Sequence, residues 1–111
     1  MESILNSIKK MLGLDENYTA FDADIIIHIN SVFMILNQLG VGPDGGYKIE
    51  DATNTWDEFT SGDLSIEAVK SYIYLKVRLI FDPPQNSSLM QAMQSQINEL
   101  EWRLNITAEN N

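Results

Sequence analysis

The chain has no cysteine. That excludes a disulfide framework and a thiolate metal site, and suits a reducing compartment or a particle indifferent to redox conditions. Its single histidine, His28, has no Ser, Cys or second His at a recognised spacing. The plain reading is a structural or partly exposed imidazole. Long hydrophobic runs are missing too. The most apolar stretch, Ile25–Leu36, is interrupted by His28, Asn30 and Ser31, well short of the about 20 apolar residues that cross a bilayer. The N-terminal MESILNSIKKMLGL lacks a basic segment ahead of its apolar residues and a small-residue cleavage site, so no secretory signal is expected.

Positive charge is scarce. Seven Lys and Arg face sixteen Asp and Glu, for a net charge of −9. Proteins bind DNA chiefly by neutralising its phosphates, so direct DNA binding is disfavoured. A surface that repels DNA, or complements a basic protein, fits better. The glycines of Gly42–Gly46 come without the lysine and spacing of a phosphate loop. The carboxylates from Asp44 to Glu67 break the calcium-loop pattern at Asp51-Ala52-Thr53-Asn54. Paired carboxylates can do acid–base work, but nothing in so short a chain supplies a substrate cleft. A solvated acidic face is the simpler reading. No enzymatic activity, metal or cofactor is expected.

What remains is a 111-residue chain with 44% apolar residues, expected to form one domain over residues 1–111. Such a chain buries roughly 65% of its unfolded surface. The apolar spacing predicts an all-α fold of four helices. Residues 3–12 form a short amphipathic helix, with Lys9 and Lys10 at the end where positive charge suits the dipole. Asp22–Leu39 form a second, capped by Asp22 or Thr19. Its apolar arc, with Ile26, Ile27, Phe33 and Met34 widening the Ile25–Leu39 stripe, predicts a helix central to the fold or covered on both sides. Its clustered isoleucines leave a strand as the alternative. A Gly-rich acidic loop follows, with an extended pair or hairpin at 47–50 and a helical turn at Trp56-Asp57-Glu58-Phe59.

The next helix runs from a Ser65 cap to Phe81, its core stripe being Ile66, Val69, Ile73, Val77 and Ile80. Pro83 and Pro84 break it. A polar helix starts near Ser87 or Ser88, with a narrow stripe of Leu89, Met93, Ile97, Leu100 and Leu104. The two form an αα-hairpin, and the tail 106–111 is expected to be loose.

Lys70, Tyr74 and Arg78 fall on one face at four-residue spacing. They pair with carboxylates of the same or a neighbouring subunit, or else touch DNA. Trp102 lies off the Leu89–Leu104 stripe, among Gln91, Ser95 and Asn98. Trp102 and the loop residue Trp56 either pack within the subunit or mark contact surfaces.

The wording YLKVRLIFDPPQNS at 74–87 followed by INELEWRLN at 97–105 resembles the head–tail connector (adaptor) family of long-tailed bacteriophages. ILNSIKKMLGL and the TWDEF turn followed by Ala68–Tyr74 are also similar to it. The resemblance covers most of the chain and carries no catalytic signature. It implies a small helical virion protein, assembled in the host cytoplasm, that forms a homo-oligomeric ring, dodecameric in the virion. The ring docks on the portal protein after DNA packaging and joins it to the next head-closure or tail component. DNA passes through its channel without specific binding, and no membrane is involved. On that reading Trp102, Arg103 and Leu104 are expected to meet the portal. Lys70, Tyr74 and Arg78 are expected to meet the acidic 44–63 region, including Asp57 and Glu58, of the next subunit. The alternative is an acidic DNA-mimic inhibitor of a nucleic-acid enzyme, weakened because the carboxylates are not laid out in rows.

Overall fold

The computed structural model describes residues 2–59 and 66–109. Among them the regular structure is entirely helical: α1 (Ile4–Met11), α2 (Asp22–Gln38), the single turn α3 (Trp56–Phe59), α4 (Ile66–Phe81) and α5 (Ser87–Glu109). The helical reading of α2 holds over the strand alternative. Ser65, expected to cap α4, lies outside the described residues, as does Asp63.

The helix at the centre is α4, not α2. It packs on α1, α2 and α5, and its Val69, Tyr72, Ile73 and Val77 are fully buried. Helix α2 contributes Ile25, Ile29, Val32, Phe33 and Leu36 to the same core. Burying each such side chain stabilises the fold by roughly 1.5–3 kcal/mol. The apolar arc of α2 is wider than its neighbours cover. Ile27 and Met34, two turns apart, stay 62% and 59% exposed.

Capping differs from expectation in α2. Neither Thr19 nor Asp22 caps it: Phe21 occupies the cap position and no side chain bonds there. Asp22 is committed elsewhere. Its carboxylate lies 2.8 Å from the ammonium of Lys9, which also donates to the Glu16 carbonyl at 3.0 Å. Asp22 Oδ1 lacks hydrogen-bond alignment, so charge holds this pair. Lys9, in the last turn of α1, is fully buried. Ser3 caps α1, accepting from the Asn6 amide, and Asn86 caps α5, accepting from the Ser88 and Leu89 amides.

No strand forms among the described residues, so the hairpin expected at 47–50 is absent. The segment is held by side chains instead. Asn30 on α2 donates to the Ile49 carbonyl and accepts from its amide, at 2.9 and 2.8 Å. The rings of Phe33, Tyr47 and Phe59 pack together with centroids 4.9–5.7 Å apart. Beneath them Gly42 has φ +96°, and a Cβ there would lie 2.5 Å from Phe59 Cε1. Gly42→Ala combines a disfavoured backbone with a clash, and is expected to cost roughly 2–4 kcal/mol in urea unfolding.

Residues 110 and 111 of the tail expected to be loose lie outside the described residues. Helix α5 runs on to Glu109, because Leu104 is buried and Asn105 donates to the Leu39 carbonyl at 3.3 Å. At the other end of the hairpin the core runs out. Ile80 and Leu89, both expected in buried stripes, are 57% and 44% exposed. Beside this end Phe81 packs edge-on against Phe21, and Phe21 against Tyr18.

Candidate assembly surfaces

Among the described residues Trp102 is the most exposed large apolar side chain, at 65%. It is held out because the core positions of α5 are Met93, Ile97 and Leu104, and residue 102 falls on the opposite side of that helix. Arg103 stands beside it in solvent, its guanidinium 2.9 Å from Glu99 one turn back. Such an exposed pair is worth a few tenths of a kcal/mol, so Arg103 is easily released to another partner. Leu104 is corrected. It is only 3% exposed and belongs to the core, so it offers no surface to a partner.

Trp56 is also interior. It opens α3, its indole donates to Ser7 Oγ at 3.1 Å, and it is 4% exposed. The Lys70 ammonium sits 5.5 Å from its ring centroid. Lys70 is held within the subunit, 2.6 Å from Glu2 and 3.7 Å from Glu67. Arg78 donates to the Tyr74 hydroxyl at 3.0 Å. The three residues of the expected basic face are thus partly buried and locally partnered, rather than a free cationic patch. Asp57 and Glu58 are exposed. Glu58 accepts from Tyr47 and Asn54 at 2.9 and 3.0 Å, which ties α3 to the loop before it. His28 is half-exposed on α2.

These contacts shift ionisation. The Lys70 hydrogen bond holds the Glu2 carboxyl below its ordinary value, and the Glu2 bond raises Lys70 in turn. Bonds from Asn54 and Tyr47 lower Glu58, and a bond from Thr53 lowers Asp51. Burial, then the bond to Glu58, pushes the Tyr47 phenol up to about 12. Burial and the 2.6 Å bond to Glu101 likewise raise Tyr72. The lowered carboxyls give stability that is present above their unfolded pKa and lost as pH falls through their folded values. The raised phenols give stability that is present below about 10 and lost as pH rises above it. Urea midpoints are therefore expected to be flat from about pH 6 to 9, falling below about pH 4 and again above about pH 10.

The described residues hold no cluster of three His, Cys, Asp or Glu side chains that could bind a metal ion. No helix among them is long and apolar enough to cross a membrane. The open cavities are shallow surface grooves. One of ≈ 360 Å³ lies where Met11 of α1 meets Tyr74, Leu75 and Leu100 of the hairpin. What the molecule offers is helical surface with unspent apolar side chains. A family described as phage connector protein matches residues 4–111. The chain belongs to that family. No curated protein and no solved structure matches it. Membership makes the connector a structural component of a phage virion that works by contact with other head or tail proteins.

The wide apolar arc of α2 suits it to both core and contact surface, but the sequence did not single out its open stripe. Ile27 and Met34 read as extra core residues, because periodicity counts apolar positions without counting the neighbours available to cover them. The seven-residue spacing of the pair was the available signal.

Proposed function

We propose that this connector forms a homo-oligomeric ring on the portal protein after DNA packaging, and links it to the next connector or tail component while extending the DNA channel. Assembly would take place in the host cytoplasm and involve no chemical step. Trp102 is the observation that carries this reading. A tryptophan 65% exposed in the C-terminal half of α5, beside the Glu99–Arg103 pair, is the kind of anchor that dominates interfaces. Trp102 and Arg103 are the proposed portal contacts. The net charge of −9 supports a conduit wall that DNA does not adhere to.

The test is the mass of the purified protein, alone and mixed with the portal protein of the same phage. A discrete ring, or a portal complex of matching stoichiometry, is expected. A monomer that ignores the portal sinks the proposal. Trp102→Ala is expected to leave the unfolding midpoint unchanged while weakening portal binding by at least about 30-fold, the loss of an interface anchor worth roughly 2 kcal/mol. Calorimetric titration of portal with the two proteins reads this directly.

A further inference from the structure

The charges of the connector are unevenly placed along the chain. From Ile25 to Pro43, and again from Pro83 to Asn98, there is no Asp, Glu, Lys or Arg. The first stretch contains nearly all of α2 and the second the N-terminal half of α5, and both helices pack on α4. Helix α2 turns Ile27 and Met34 to solvent. Helix α5 turns out Gln91, Ser95 and Asn98, one above another at helical spacing, all exposed and all neutral.

We propose that these two faces meet in the ring, with α2 of one subunit packed against the N-terminal half of α5 of the next. The inference rests on the ring reading above and names its subunit contact. Each copy carries a net charge of −9. Bringing copies side by side concentrates like charge, and the opposing energy is smallest where neither face carries any. A closed ring also needs two different patches on each subunit, since a patch that pairs with itself stops at a dimer. An apolar stripe and a neutral face of small and amide side chains meet that need. Methionine is unbranched and adapts to an irregular surface, and Ser95 opposite leaves it room. The competing pair of faces is already engaged within the subunit: Lys70 by Glu2 and Glu67, Arg78 by Tyr74, and Glu58 by Tyr47 and Asn54.

The absence of native cysteine makes a clean test. A Met34→Cys, Ser95→Cys double variant is mixed with the portal protein, oxidised and run on a denaturing gel. A ladder of covalent multimers is expected from the double variant and none from either single variant. Self-linked dimers of Met34→Cys alone would overturn the proposal in favour of a symmetric α2 contact. A portal complex of normal stoichiometry with no ladder would overturn the contact and leave the ring reading standing. If wild-type protein forms no assembly with portal, the ring reading falls and the contact with it. Met34→Glu, at an exposed position, is expected to keep the wild-type melting temperature and lose at least tenfold in assembly. Normal assembly of this variant also overturns the proposal.

Discussion

Asp22→Ala is expected to destabilise the protein by roughly 3–5 kcal/mol, the cost of leaving one partner of a buried ion pair alone. Lys9 is the reason. Its side chain is 1% exposed, and its ammonium has Asp22 at 2.8 Å and the Glu16 carbonyl at 3.0 Å. Removing the carboxylate leaves a positive charge inside the fold, held by one neutral oxygen. The pair fastens α1 to the start of α2, so the whole amino-terminal side of the domain loosens with it. The double variant Lys9→Met, Asp22→Leu removes both charges and is expected to recover most of the loss, because apolar replacements of buried pairs are often neutral or better. Urea midpoints for the two variants and wild type check this. A single variant within 1 kcal/mol of wild type would mean that Lys9 finds water, and the clamp would be inconsequential.

Phe33→Ala is expected to cost roughly 3–5 kcal/mol. Phe33 is 1% exposed and touches both Tyr47 and Phe59. The segment from Val41 to Phe59 has no strand to hold it. Its last residues are tied to the start of the chain through Asn54 and Trp56, and the rest is fastened by this aromatic group and by the Asn30 clamp on Ile49. Loss of Phe33 therefore removes core packing and frees the loop together. Amide exchange should show the Ile49 amide, which depends on a side chain of α2, losing protection in this variant while α4 keeps its own. Equal loss everywhere would mean that the loop and the helices unfold as one unit.

The helices were legible because their signals are local. The spacing of Ile4, Leu5 and Ile8, the stop at Gly13 and the break at Pro83-Pro84 each act within a few residues. The outcomes that differed all depend on partners far along the chain. Lys9 reads as a helix-end charge suited to the dipole, and only the α1–α2 loop brings Asp22 to it. Tyr47–Glu50 reads as a hairpin because the β-favouring residues are there, but Asn30 takes the amide and carbonyl of Ile49 and Asn54 takes the Glu50 amide. Helix α5 reaches Glu109 because Leu104 and Asn105 anchor it on the core and on Leu39. Ile80 and Leu89 obey the helical period faithfully and still end in solvent, because α4 and α5 extend past the elements that would cover them. The exposure of Trp102 and Arg103 was readable from their polar surroundings, whereas Leu104 lies on the buried side of α5.

That uncovered end of the hairpin gives the acidic composition a second meaning. Ile80 and Leu89 are adhesive surface on a chain that works by contact with other proteins. Copies that touch there too early would clump instead of assembling. Mutual repulsion keeps such contacts brief, over a range of about 8 Å at physiological ionic strength. The charge of −9 then works as a colloidal brake, released only when a partner offers enough favourable contact to overcome it.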